Sequence, residues 1–259
     1  MKAHILGFFA GLMVLLVLPG CLQIEQTIKL KKDGSGTLID QVILGPQMVG
    51  MMEMAAAQGG GEGANPMADF FDEAKYKKNA GKYGEGVEFE KMEKVEKNGG
   101  KGVVVTYKFA DINKVSFEPG SALDALQQPG QPDQAGEPAK FTFKDGKLTV
   151  DFPDPPENPE AGEAVEELDP QAAAMMQMFA DMSLKAKLVM VDGIKKTNAT
   201  HRDGDTITLM EVDFKKVIAD PDGLSRLQKT QNKKRDEAMA LLDGVDGVKF
   251  EKNDPLTVE

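Results

Sequence analysis

The residue with the clearest chemistry in this chain is Cys21, its only cysteine. Cys21 follows Leu18-Pro19-Gly20 at the end of an apolar run that starts at Ile5, and Lys2 places a positive charge before that run. A charged start, about 14 apolar residues and a small residue before a cleavage point are typical of a secretory signal that is too short to span a bilayer. The pattern predicts that residues 1–20 are a signal peptide, cleaved between Gly20 and Cys21.

The segment from Leu18 to Cys21 resembles a lipobox, the cleavage motif of bacterial lipoproteins, with Leu18 and Gly20 at the expected places. The resemblance implies that Cys21 becomes the first residue and carries a diacylglyceryl thioether, often with an acyl chain on its nitrogen. Each buried CH₂ contributes about 0.8 kcal/mol, so two or three acyl chains hold a protein on a membrane. A plain secretory signal or a membrane anchor with a chance cysteine is the alternative, although an unpaired thiol is unusual in an oxidising compartment.

The same resemblance implies a location. Leu22, and not an aspartate, follows Cys21. In a bacterium with two membranes this implies the periplasmic face of the outer membrane, in preference to the inner membrane. The implication holds only for such a host.

The other residues form no recognisable catalytic or metal-binding pattern. His201 is the only histidine beyond residue 20, and it lies in a hairpin-turn sequence where an exposed histidine is expected, whereas a zinc site needs several His or Cys ligands. No Walker loop is present, and the serines match neither Gly-x-Ser-x-Gly nor Ser-x-x-Lys; they are Ser35, Ser116, Ser121, Ser183 and Ser225. We therefore expect no enzyme, no cofactor and no metal.

Two loops resemble ligand-binding loops only in part. The stretch Asp220-Pro221-Asp222-Gly223 begins like a calcium loop, but Gln231 stands where the bidentate glutamate belongs. The glycines of Asp33-Gly34-Ser35-Gly36 join two predicted strands without a following helix, so a phosphate cradle is not expected there.

Composition excludes further classes of function. The net charge of the chain is −11, and loss of the signal removes one lysine, so the mature surface repels phosphate backbones and no nucleic-acid partner is expected. Tryptophan is absent and aromatic residues make up 6%, which argues against a sugar-stacking cleft. With 41% hydrophobic residues, the chain can form one large or two small cores.

Residues 21–126 predict two hairpins that flank Met-rich helices. Period-two alternation and turn residues predict the hairpins, at 22–30 with 37–44 and at 87–95 with 102–109. Residues 46–58 and Pro66 to Lys78 have helical spacing, with a glycine-rich break between them. Met48, Met51 and Met52 fall on one face of the first helix, which we expect to pack on the sheet.

A linker rich in Pro, Gly and Gln at 127–138 precedes residues 139–259, which repeat the order of hairpin, Met-rich helix and hairpin. The predicted elements are a hairpin at 141–150, a helix over 172–182, a hairpin of 184–191 with 206–214, a helix over 224–242 and a strand at 248–250. The basic run Lys233-Lys234-Arg235 either contacts anionic lipid or, as favoured, is a solvated helix face. Both halves close on Asp-x-x-Lys-Val, which suggests a degenerate internal duplication.

The mature chain as a whole resembles the LppM-like lipoproteins of bacteria, which are largely of unknown function. The resemblance lies in Cys21 followed at once by a strand, in Asp33-Gly34-Ser35-Gly36, and in Val191-Asp192-Gly193-Ile194 leading through Thr197-Asn198-Ala199 to Asp203-Gly204-Asp205-Thr206-Ile207. It implies an α+β fold with antiparallel sheet and no assigned chemistry.

Three functional classes stay open on these residues. The favoured one is a membrane-anchored lipoprotein with a structural or protein-interaction role, whose partners are the membrane and an unknown envelope protein. The second is a lipoprotein that binds a lipid or another apolar ligand between sheet and Met-rich helices. The third is an enzyme of unrecognised type, which would require carboxylates clustered in one cleft.

Overall fold

The computed structural model describes residues 22–57, 66–122, 137–154, 180–230 and 232–259. Within these ranges the chain forms eleven strands and six α-helices, with 3₁₀ helices at Ala80–Tyr83 and Ile112–Lys114. The strands are β1 (Leu22–Leu30), β2 (Gly36–Leu44), β3 (Glu88–Lys97), β4 (Gly100–Phe109), β5 (Lys140–Lys144), β6 (Lys147–Asp151), β7 (Met182–Met190), β8 (Arg202–Asp203), β9 (Thr206–Asp213), β10 (Val248–Phe250) and β11 (Leu256–Val258). The helices are α1 (Pro46–Ala57), α2 (Pro66–Phe70), α3 (Glu73–Asn79), α4 (Phe214–Ala219), α5 (Gly223–Gln228) and α6 (Arg235–Leu242). The protein has an α+β fold rich in antiparallel sheet, as the sequence predicts.

The larger sheet has eight strands, in the order β10-β9-β7-β1-β2-β4-β3, with β8 paired to β9. The predicted hairpins β1–β2, β3–β4 and β5–β6 are present, and β7 pairs with β9 as expected. The pairing of β1 with β7 is parallel and runs over the whole length of both strands. Hairpin patterns predict antiparallel neighbours alone, so this long-range pairing is visible only in the structure.

One face of the larger sheet is the core face. Because side chains alternate along a strand, Ile24, Ile28 and Leu38 point to this face, as do the residues in register with them on β4 and β7. The smaller sheet, in the order β11-β6-β5, packs on the same core through Phe141, Leu148, Val150, Leu256 and Val258. Helices add Val49, Phe70 and Tyr76 to that core, and Val217 and Leu242 to a second cluster around Val212.

The opposite face of the larger sheet is charged. The Glu211 carboxylate on β9 lies 2.9 Å from Lys185 Nζ on β7 and 3.1 Å from Lys249 Nζ on β10. Burial raises the pKa of Glu211, but hydrogen bonds from the two lysines lower it more, so its pKa lies below the usual value. Glu25 on β1 pairs with Lys187 at 2.8 Å. These ion pairs are partly exposed, so this part of the face is in contact with solvent.

The β1–β2 turn requires two glycines. Gly34 has a φ of +84°, and a Cβ on it would lie 3.0 Å from the Phe143 ring of β5. A Cβ on Gly36 would lie 2.0 Å from the Lys29 carbonyl oxygen and 2.6 Å from Phe109 Cζ. Asp33 closes the turn by accepting hydrogen bonds from the Ser35 amide and hydroxyl, which lower the pKa of Asp33.

Two of the predicted long helices are each divided in the structure, so their predicted extents are wrong. The helix predicted from Pro66 to Lys78 stops at Phe70, because Asp72 has extended backbone and caps α3 by accepting the Ala74 amide. The helix predicted over 224–242 stops at Gln228, and Asn232, with a φ of +58°, lies before α6.

The basic run was expected to form a solvated helix face, and for Arg235, at the start of α6, this expectation is wrong. Its side chain is buried, 4.6 Å over the Phe152 ring, and its backbone amide donates to Asp154 at 2.9 Å. Lys233 and Lys234 are exposed. Arg235 therefore holds α6 against the segment that follows β6. The order of charges along the sequence does not show this contact.

The Met-rich helix predicted over 172–182 lies largely outside the described residues. Its last residue, Met182, is wrongly predicted as helical, because it begins β7 opposite Leu22 of β1. Most of the linker at 127–138 also lies outside the described residues, as do Gly20 and Cys21.

The recurring Asp-x-x-Lys-Val motif has a local explanation. Asp111 accepts the Asn113 amide before a 3₁₀ helix, and Asp213 accepts the Lys216 amide before α4. Val115 and Val217 are buried. Each copy thus caps a short helix and buries one valine. The internal duplication and the boundaries 21–126, 127–138 and 139–259 stay predictions.

Candidate functional site

One candidate site is the end of the larger sheet at which β1 begins. Leu22 is only 4% exposed, and it is paired with Leu44 on one side and with Met182 on the other. The predicted lipidation site is therefore joined to a central strand with no intervening linker. We call this the anchor end of the sheet, defined by Leu22, Leu44 and Met182.

Helix α1 starts at the anchor end, two residues after Leu44. Its Glu53 carboxylate lies 2.9 Å from Nζ of Lys101, a residue paired with Leu44 in the sheet. Met48 and Met52 pack against the core beside buried Val49.

The expectation that Met51 shares the buried face of α1 is wrong. Met51 is 40% exposed and Met54 is 62% exposed, because residues 48, 49 and 52 turn toward the core and leave 51 and 54 on the far side.

A groove of about 740 Å³ lies at the opposite end of β1, between the larger sheet and the β5–β6 hairpin. Its apolar part consists of the half-buried Phe143 ring together with Leu30 and Met190, which are themselves buried. Four lysines and three acidic residues surround them: Lys32, Lys144, Lys147, Lys195, Asp145, Asp192 and Glu259. We call it the distal groove.

The charges of the distal groove are partly engaged with one another. Lys147 Nζ lies 3.9 Å from a Glu259 carboxylate oxygen, and Asp192 accepts the Lys32 backbone amide at 2.9 Å. The Nζ atoms of Lys144 and Lys195 are in none of the ion pairs seen among the described residues. The groove can therefore accept a molecule with an apolar part and polar or anionic groups.

A buried polar cluster crosses the middle of the sheet. Asp40 on β2 is 4% exposed and accepts a hydrogen bond from Gln26 Nε2 on β1 at 3.1 Å and another from the Tyr83 hydroxyl. Gln26 also donates to Ser121 Oγ at 3.1 Å and accepts the Gly120 amide at 2.6 Å. We call Asp40, Gln26 and Tyr83 the Asp40 cluster.

Burial controls the acidity of this cluster. It raises the pKa of Asp40 to about 6, although the hydrogen bonds from Tyr83 and Gln26 oppose the rise. Burial first, and the Asp40 charge second, also raise the pKa values of Tyr76 and Tyr107. All three tyrosines of the chain thus surround one carboxyl group.

The sequence analysis missed the Asp40 cluster, although a signal was present. Period two places Asp40 in phase with Leu38 and Val42, and Gln26 in phase with Ile24 and Ile28, so both polar side chains had to point into the core. The reaction available to this cluster is protonation of Asp40, whose pKa is raised by burial.

The remaining candidate residues do not come together. The Ser35 hydroxyl donates a hydrogen bond to Asp33, and the Ser121 hydroxyl accepts one from Gln26. His201 is half-buried and lies beside α6, near Met239 and Lys249. Asp220 accepts the Asp222 and Asp246 amides, which lower the pKa of Asp220. Over the described ranges no group of three His, Cys, Asp or Glu residues is arranged to hold a metal ion. None of the helices in those ranges has the length and apolarity needed to cross a membrane.

Comparison with known proteins gives one loose likeness. No family model and no curated protein matches the chain. Among solved structures, the folded domain of the Mycobacterium tuberculosis LppM protein, determined by NMR, matches over 77% of this chain and 86% of its own, with 10% identity and a TM-score of 0.33. LppM is also the name of the group that the sequence motifs resemble. At this TM-score the two folds are only loosely alike, and family membership stays a prediction.

Proposed function

We propose that this protein is a lipoprotein of the cell envelope, tethered through Cys21, with a structural or protein-interaction role. The observation that carries the proposal is the continuity between Cys21 and the sheet, since Leu22 is already buried and paired on both sides. A lipid on Cys21 would hold the folded body directly at the membrane, with no mobile tether between them.

The direction of β1 gives this body an orientation. Its nine residues run from the anchor end to Leu30 in the distal groove. At about 3.3 Å per residue this separates the two ends by roughly 26 Å. The distal groove then faces away from the membrane, where an envelope protein can reach it. In a host with two membranes, Leu22 after Cys21 favours the periplasmic face of the outer membrane.

Labelling with radioactive palmitate tests the tether. Wild-type protein should carry label and sediment with membranes. The Cys21→Ser protein should carry no label, and its cleaved, membrane-bound form should be absent. The matched control is Cys21→Ser with Gln23→Cys, which restores a thiol two residues away from the cleavage motif and should stay unlabelled. A labelled Cys21→Ser protein would show that the lipoprotein proposal is wrong.

A second candidate function is the binding of an amphiphile in the distal groove. The groove volume of about 740 Å³ falls within the range of small-molecule sites, and lysines surround its apolar part. Mass spectrometry of organic extracts from the purified protein tests this candidate. An anionic amphiphile should accompany the wild type and the control Lys77→Glu/Lys78→Glu, but not Lys147→Glu/Lys195→Glu. If wild-type extracts contain none, the candidate is excluded.

A further inference from the structure

We propose that helix α1 is a second membrane contact, in which Met51 and Met54 enter the interfacial layer of the bilayer that holds Cys21. The inference rests on the proposed tether, and it names the surface of the protein that the bilayer covers. A lipid anchor alone brings the anchor end to the membrane, but it does not fix the tilt of the body. A second contact would fix that tilt.

The position of α1 is the first argument. Leu22 is paired with Leu44, and α1 begins at Pro46, so the helix starts beside the point where a lipid on Cys21 would leave the fold. Met54 is eight residues further on, about 12 Å along the helix at 1.5 Å per residue. The ion pair between Glu53 and Lys101 keeps this part of α1 near the anchor end. Both methionines therefore lie within reach of the membrane surface.

The composition of α1 is the second argument. Among its twelve residues Glu53 is the only one with a charge, and Lys101 pairs with it. A surface helix normally carries charged residues opposite its apolar stripe, whereas the exposed face of α1 carries Gln47, Met51 and Met54 and no charge. Val49, Met48 and Met52 meet the core, but Met51 and Met54 remain exposed. A bilayer at the anchor end would cover them.

The distribution of exposed apolar residues is the third argument. In the described part of the chain, three large hydrophobic side chains are exposed: Met51, Met54 and Val191. Two of them are on α1, whereas Val191 follows β7 at the other end, where its amide donates to the Leu30 carbonyl at 2.9 Å. Val191 is 53% exposed, similar to Met54 at 62%. The chain thus contains its own control residue for membrane contact.

The test uses the mature chain, residues 21–259, coupled through its single cysteine to vesicles of phosphatidylcholine that contain a maleimide-headgroup lipid. Because the chain has no tryptophan, Met54→Trp and Val191→Trp each introduce the only one. The readout is quenching of tryptophan fluorescence by phosphatidylcholine brominated on its acyl chains. We expect Met54→Trp to lose most of its emission and to shift to the blue on coupling, and Val191→Trp to keep both intensity and wavelength.

Equal emission of the two coupled variants would overturn the inference. A second measurement uses native methionines: hydrogen exchange in α1 should slow on coupling of the wild type, and not on coupling of Met51→Gln/Met54→Gln. The chemical coupling separates this inference from the tether in cells. If palmitate labelling succeeds while Met54→Trp escapes quenching, the lipoprotein proposal stands and the contact through α1 is wrong. If labelling fails while Met54→Trp is quenched, the contact stands and the cellular tether is wrong.

Discussion

At the scale of single residues, Asp40 is unusual because it places a carboxyl group on the core face of β2, where apolar side chains are expected. A buried carboxylate has lost its hydration, and hydrogen bonds from Gln26 and Tyr83 replace it only in part, which leaves the pKa of Asp40 at about 6. The folded protein therefore binds a proton at Asp40 more tightly than the unfolded chain does.

The sign of the resulting pH dependence follows from that difference. Between about pH 4 and pH 6 the folded state holds the proton that the unfolded state has lost, so this group makes stability fall as pH rises. Two pKa units correspond to about 3 kcal/mol. Asp40→Asn can keep both hydrogen bonds, because its amide can donate to the tyrosine oxygen. As pH rises from 4 to 7.5, we expect the free energy of unfolding of the variant to increase relative to wild type by up to about 3 kcal/mol. Urea unfolding measures this difference.

The control for Asp40→Asn is Asp33→Asn. The pKa of Asp33 is lowered by hydrogen bonds from Ser35, so its stabilising effect is lost as pH falls and the difference from wild type should have the opposite sign. Parallel pH profiles for Asp40→Asn and wild type would contradict the assignment.

A pair of glycines gives a second prediction at the residue scale. Ala at Gly36 would place a methyl group against the Lys29 carbonyl and Phe109, and overpacking of this kind costs about 3 kcal/mol. Ala at Gly50, in the middle of α1, meets no atom within 4 Å and should stabilise the helix by about 0.5–1 kcal/mol. Chemical denaturation of Gly36→Ala and Gly50→Ala should therefore give shifts of opposite sign.

At the scale of elements, α1 divides its methionines between two environments. Met48 and Met52 pack on the core, so alanine at either should cost about 1–3 kcal/mol for a partly buried site. Met51→Ala and Met54→Ala should change stability by less than about 0.5 kcal/mol in the absence of lipid. Thermal or urea unfolding of the four variants checks this. A cost for Met51→Ala equal to that for Met52→Ala would show that a different face of α1 meets the core.

The helix boundaries differ in how well neighbouring residues predict them. The start of α1 after β2 was predictable, because the period of the apolar residues changes from two to helical spacing at Pro46. The break at Asp72 has a local signal that the sequence analysis missed, because an aspartate that accepts the amide two residues further on is a helix N-cap. The break before Arg235 was not predictable, because the partners of Arg235, Asp154 and Phe152, are distant in the sequence and meet it only in the folded chain.

At the scale of the whole molecule, the pairing of β1 with β7 joins the two predicted halves in one sheet. We therefore expect β1, β2 and β7 to be protected together in native-state hydrogen exchange, with higher opening free energies than β3 and β10, which lie at the edges. Mass spectrometry of exchange at low denaturant measures this. If β7 opened independently of β1 and β2, the predicted halves would be separate folding units.

Local patterns were sufficient to predict the hairpins, the start of α1 and the α+β class, because alternation, turn glycines and helical spacing act between neighbouring residues. They also gave the anchor prediction at Cys21, which depends on a contiguous motif. The folded chain was needed to show that β1 lies beside β7, that Asp40 meets Gln26 and Tyr83, and that Met51 and Met54 remain exposed. These outcomes depend on which distant segments share a sheet or a core. A residue's own pattern shows that it must be buried or paired, but it does not name the partner.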